Sequence, residues 1–331
     1  MAQGQLIRSN QTRGIRLIKT INITQDSQQE TVDLPRGPHL EWCMVRVTGT
    51  INVTTAFAGG VRAIAPYLFL TRGDWILNSN VTLDSVSGAQ LFQSYVTRRN
   101  VPASAAPLAA LGATSFEAAF IFDRALMDMK RPKDSMLKTD VGVSNNQLRL
   151  QFGKLSDMYL AGAGAATYTS VVASVTVGDY QEAKDDQGNT PMPLYYIKRN
   201  GIRAPIPLAG NGQQVKINTG NRLRALLVRV LDGVTFEPSN TLVSRFKMVR
   251  AGDTRVDVTA LELRRFNEAM YGISLQTGQF IIDFACAGQL SGVMYSEFWP
   301  IPSSADTFLL VDTTASCVLE ICTIEGVDFV S

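Results

Sequence analysis

The residue types that most often carry catalysis are sparse in this chain. It holds a single histidine, His39. A two-histidine mechanism or a multi-histidine metal site is therefore excluded, and a Ser-His-Asp triad would have to use His39. That residue follows Pro35-Arg36-Gly37-Pro38, which reads as a turn and predicts a surface loop. Four cysteines, Cys43, Cys286, Cys317 and Cys322, form no C-x-x-C pair. Cys317 and Cys322 lie in one strand-like segment at an odd spacing, which puts them on opposite faces. They are poor joint ligands and a poor disulfide pair. Buried free thiols and synthesis in a reducing compartment are expected.

The sequence lacks a G-x-S-x-G elbow, a Walker loop and an H-E-x-x-H pair. A carboxylate pair for glycoside hydrolysis needs only proximity in space, and Glu41, Asp123, Asp128 and Asp283 are possible members. Asp123 and Asp283, however, each close a Phe-Ile-x-Asp segment, which suggests a structural role at a strand end. Asp185 and Asp186 lack EF-hand spacing. The small-residue stretch 161 to 167 lacks G-x-G-x-x-G. No catalytic residue, cofactor or metal site is expected. Lys and Arg number 31 against 29 Asp and Glu, a net charge of +2. The basic pairs Arg98-Arg99, Lys130-Arg131 and Arg264-Arg265 form no stripe interleaved with aromatics, so direct nucleic-acid binding is not expected. Trp42, Trp75 and Trp299 could stack on sugars; as core or interface aromatics they need no ligand.

The elements that would position these residues read as β. The chain has 331 residues, enough for two domains at roughly 150 residues each. No signal peptide is visible at Met1-Ala2-Gln3-Gly4-Gln5, and no apolar run reaches the length of a spanning helix. Residues 1 to 14 form a mildly basic arm, and Arg8, Arg13, Arg16 and Lys19 precede the first acid, Asp26. Strand-like runs follow from Ile15, among them the long run from Leu40 to Val53 and short ones at Pro66 to Leu70 and Trp75 to Leu77. Repeated breaks at Gly, Asn, Asp and Pro argue for sandwiches or barrels. One helix interrupts each half. Ser87 caps the first, with Leu91, Phe92, Tyr95 and Val96 on one face. Thr259 and Glu262 form a capping box for the second, Leu263, Phe266 and Met270 share its apolar face, and Gly272 stops it.

The halves repeat in order. Gln28 to Leu34 matches Gln213 to Asn218, and both halves then carry Val-Arg-Val, at residues 45 to 47 and 228 to 230. The helices come next, then Phe120-Ile121-Phe122-Asp123 against Phe280-Ile281-Ile282-Asp283. Residues 170 to 180 finally match 317 to 329, with Gly178 on Gly326. The spacing between matches shrinks along the chain, as longer loops in the first half would produce. Shared order is the signature of duplication. The polar, turn-rich stretch 183 to 191 is the linker, between a first domain at 15 to 182 and a second at 192 to 331.

A duplicated β chain without catalytic machinery resembles the double jelly-roll major capsid proteins of tailless icosahedral viruses, including membrane-containing bacteriophages. The resemblance runs from about Ile15 to Phe329 and rests on this architecture and on the repeated Val-Arg-Val and Phe-Ile-x-Asp segments. It implies an all-β fold: two tandem eight-stranded jelly-roll β-sandwiches with one short helix in each. It further implies a virion protein, made in the host cytoplasm, whose homotrimers tile a shell. Partners would be neighbouring capsomers, minor capsid or penton proteins and an inner viral membrane. The arm would contact a neighbouring capsomer or that membrane. Apolar residues in loop-like sequence, Leu108, Leu111, Trp299 and Ile301, are the expected subunit-interface residues, since low surface charge eases self-association. The alternative is a carbohydrate-binding β-sandwich or a β-rich glycosidase.

Overall fold

The computed structural model describes residues 12–37, 39–97, 101–124, 136–139, 142–160, 162–181, 195–217, 221–272, 274–284, 299–300 and 306–328. A first lobe holds β1 (Thr12–Ile23), β2 (Gln29–Asp33), β3 (His39–Thr55), β4 (Leu70–Leu77), β5 (Val81–Val86), β6 (Gly112–Asp123), β7 (Asn146–Phe152) and β8 (Ala165–Gln181). A second holds β9 (Tyr195–Ile206), β10 (Gly210–Ile217), β11 (Arg222–Asp232), β12 (Val243–Arg250), β13 (Asp253–Thr259), β14 (Gln279–Asp283), the two-residue β15 (Trp299–Pro300), β16 (Thr307–Thr313) and β17 (Cys317–Asp328). Strands such as β7 and β16 alternate buried and open side chains, as a sandwich sheet requires.

In the first lobe the sheets run β1-β8-β3-β6 and β2-β7-β4-β5. In the second they run β9-β17-β11-β14 and β10-β16-β12-β13. These are the same order, strand for strand, and each lobe is an eight-stranded jelly roll. The second also carries β15 on the edge of β11. A parallel bridge between β5 and β9 joins one sheet of each lobe into a single nine-stranded sheet. β1 begins at Thr12, so strand pairing already includes residues 12 to 14 that the sequence assigns to the arm. Residues 1 to 11 and the linker stretch lie outside the described residues.

Helix α1 (Ala65–Leu68) replaces the strand expected at Pro66 to Leu70; Pro66 sits in its first turn, where a missing N–H costs nothing. The first lobe thus has a helical turn beyond the one helix expected. Helix α2 (Gly88–Thr97) packs Leu91, Phe92, Tyr95 and Val96 inside. Ser87 caps it reciprocally with Gln90. Helix α3 (Ala260–Tyr271) has the predicted Thr259–Glu262 box and a left-handed Gly272 at φ 56°. Its buried face is Ala260, Leu263 and Asn267, whereas Phe266 is 52% exposed, against expectation. His39 opens β3 and is buried, not on a surface turn. Among the described residues no helix is long and apolar enough to cross a membrane.

Two apolar clusters form the interior. The second lobe's cluster holds Leu226, Val228, Val230, Phe280 and Ile321. The first lobe's cluster holds Val45, Val47, Phe120 and Phe122, and it also takes in Ala225, Leu227, Ile281, Cys322 and Ile324 from the second lobe. Strands β11 and β17 are therefore covered on both faces, which explains why adjacent apolar residues such as Leu226 and Leu227 are both buried. The described cysteines are buried, and Cys317 and Cys322 fall in different clusters, on opposite faces.

Candidate functional site: the junction between the lobes

The charged residues that the fold buries most deeply meet where β5 and β9 touch. Asp84 lies opposite Arg199, and Ser85 opposite Asn200. Arg199 donates from Nε to Asp84 Oδ1 at 3.0 Å and from Nη2 to Asp84 Oδ2 at 3.2 Å. Its Nη1 donates to Asp123 Oδ1 at 2.6 Å. Arg124 binds the same Asp84 through Nη2 and donates from Nη1 to the Ile197 carbonyl at 2.6 Å. Its guanidinium sits 4.5 Å from the centre of the Trp75 ring, whose Nε1 donates to Asn146 Oδ1 at 2.8 Å. Asp84, Arg124 and Arg199 are fully buried.

Two guanidinium and two carboxylate groups make the cluster neutral, which is the condition for holding charge in an apolar interior. Burial pushes the Arg124 pKa down to about 10, against the pull of Asp84. Burial also opposes the charge on Arg199, but the Asp84 carboxylate and its hydrogen bonds outweigh this and raise the pKa. Both arginines stay cationic at neutral pH, and through Asp84 and the Ile197 carbonyl they fasten one lobe to the other. Two glutamines of α2 complete the fastening. Gln90 Nε2 donates to the Ile321 carbonyl at 3.1 Å, and Gln93 Nε2 to the Val228 carbonyl at 2.8 Å. Nothing local in the sequence marks these residues: Asp84 and Arg199 are 115 positions apart.

The residues singled out in the sequence do not converge. Asp123 and Asp283 end equivalent strands β6 and β14, and Asp123 belongs to the cluster. Tyr271 Oη donates to Asp283 Oδ2 at 2.5 Å. Glu41 is buried at the start of β3, and Asp128 lies outside the described residues. Arg13 is in β1 opposite Tyr180. Arg16 pairs with Asp179, and Lys19 with Glu30 at 3.1 Å. Leu108 and Leu111 are 66% and 68% exposed in the loop before β6. Trp299 pairs with Leu223 within the second lobe. Arg8 and Ile301 lie outside the described residues. Trp75 is fully buried, so it cannot stack on a sugar. Trp42 is half-buried, not in the core, and lies across Gly178 on the outer sheet face, where a Cβ would overlap the indole. Among the described residues no cluster of His, Cys, Asp and Glu could hold a metal ion.

Two jelly rolls of one strand order, fused edge to edge and held by a buried charged cluster, define the double jelly-roll fold of viral major capsid proteins. Among solved structures, the chain is similar to the STIV major capsid protein, with 17% identity and a TM-score of 0.69 over 95% of this chain and 97% of that one. The major capsid protein of Bacteriophage PM2 matches with 12% identity and a TM-score of 0.59, over 96% and 99% of the two chains. A chain of the PBCV-1 virus capsid matches with 10% identity and a TM-score of 0.62, over 98% and 97%. No protein-family model matches, and no curated protein matches by sequence.

Proposed function

We propose that the chain is the major capsid protein of an icosahedral virus, and that three copies form a pseudo-hexagonal capsomer. The observation that carries this reading is the fused pair of jelly rolls with identical strand order. Three such chains present six like lobes, which tile a surface with approximate six-fold symmetry. The near-balanced charge leaves genome contacts to other components. The protein's place is then the virion, and its partners are neighbouring capsomers, minor capsid or penton proteins and an inner membrane. Its role is structural and needs no catalytic residue. Light scattering on the purified protein should return three times the 36.1 kDa chain mass, and electron microscopy should show capsomers or shells. A persistent monomer at micromolar concentration that forms no particles and binds on a glycan array would overturn this in favour of the carbohydrate-binding reading.

A further inference from the structure

Beside the buried cluster, the junction opens into a cleft of about 550 Å³ between the lobes. Its wall in the first lobe carries Arg62 and Arg72, and its wall in the second carries Arg203 and Arg229. Arg203, Glu320 and Arg229 lie side by side on the neighbouring strands β9, β17 and β11. Among the described residues, Asp157 and Glu320 are the carboxylates that line the cleft, two against four arginines. The first turn of α2 borders the same space and holds no acid, so the positive end of the helix is not offset there.

The protein uses few of the donors on these arginines. Arg229 is 4% exposed, yet its side chain makes a single hydrogen bond among the described residues, from Nη1 to Glu320 Oε2 at 3.0 Å. Arg62 donates from Nε to the Tyr159 carbonyl at 2.8 Å and lies 3.7 Å from Glu237, beyond hydrogen-bonding distance. Arg72 pairs with Asp74 at 2.9 Å. Arg203 forms no ion pair among the described residues, and its guanidinium sits 5.2 Å from the centre of the Phe236 ring. Phe236 holds that place with a φ of 57°, which bulky side chains rarely adopt. Burial pushes the Arg229 pKa below its ordinary value against the pull of Glu320, and Arg62 adds more to the fall than Glu237 offsets. The cleft is short of negative charge.

We infer that the cleft binds a small molecule bearing more than one phosphate group, held between the arginines of the two lobes. A guanidinium fork matches two oxygens of a phosphate, and charge-assisted hydrogen bonds of this kind are about twice as strong as neutral ones. A phosphate group also brings about −1.5 to −2 charges at neutral pH, more than a carboxylate does. Arginines on facing walls suit a ligand with several anionic groups better than a single ion. Such a ligand ties the walls together and braces the junction. The site lies within one chain and does not depend on the capsid reading.

The test is titration calorimetry and thermal unfolding of the full chain with sodium tripolyphosphate, at an ionic strength matched with sodium chloride. Saturable binding is expected, with a melting temperature that climbs with ligand concentration, as a ligand of the folded chain requires. Inorganic phosphate should bind more weakly. Arg203→Gln and, separately, Arg72→Gln alter exposed side chains and should each weaken binding about tenfold, the loss of one charge-assisted hydrogen bond. Absence of saturable binding, or an affinity unchanged in either variant, would overturn the site. A short single-stranded DNA that binds more tightly than tripolyphosphate would overturn the small-molecule assignment.

Discussion

Asp84 is a carboxylate shared by two buried arginines, and this decides what its loss does. Asp84→Asn keeps the shape but leaves two guanidinium groups in the interior with only the edge carboxylate of Asp123. Removing one partner of a buried ion pair costs about 3–5 kcal/mol. Urea unfolding should show a loss of that order; an unchanged midpoint would mean that water reaches the cluster. Asn267 is a second residue with no polar alternative. Its side-chain amide donates to the Ile281 carbonyl at 2.8 Å and accepts from the Ile281 N–H at 2.8 Å. Asn267→Leu has similar volume but strands both backbone groups, at a cost of about 1–3 kcal/mol, measurable in the same denaturation series.

At the scale of elements, the bond from Asn267 is one half of a repeated device. Tyr95 Oη of α2 meets the N–H and carbonyl of Ile121 in the other lobe, so in each lobe a helix side chain closes the open edge of the strand after it. Edge strands left bare invite pairing with other chains. The helix cap gives a pH test. Hydrogen bonds from Thr259 hold the Glu262 carboxyl below its ordinary pKa of 4.5. A lowered folded-state pKa gives stability that is full above 4.5 and lost as pH falls through the folded value. In thermal melts Glu262→Gln should trail the wild type at neutral pH, with the gap closing in acid; a gap that persists in acid would exclude the carboxylate as its source. The repeat, the two interrupting helices and both caps were legible because they are local patterns. The rotation of α3 was not: periodicity groups Leu263 with Phe266, but Phe266 points away because the polar Asn267 takes the inner position. Asp84 and Arg199 also escaped, since a single charge in a strand reads as a solvent-facing residue until its partner is known.

For the molecule as a whole, the outer sheet face of the first lobe was written in sequence without being readable. The run Leu40-Glu41-Trp42-Cys43-Met44-Val45 is as apolar as that of β11, which is covered on both sides, yet Trp42 and Met44 are only partly buried; composition alone does not separate a covered face from an open one. The N-terminal residues belong to the same scale. Residues 1 to 11 hold only Leu6 and Ile7 as sizeable apolar side chains besides Met1, so deleting them should leave melting unchanged while shell assembly fails. Normal particles from the truncated protein would show that the arm has no assembly role.

The contact between β5 and β9 lies within one chain, so its formation does not depend on protein concentration. A short tether supplies an effective concentration on the order of millimolar for the joined parts. In the proposed six-lobed ring, half of the lobe contacts are thereby settled while each chain folds, and only the other half await collisions. Six separate lobes would have to find one another at every step, and ring formation would fall off far more steeply on dilution. Tethering also frees the internal contact to use buried ions, whose dehydration would slow freely diffusing partners.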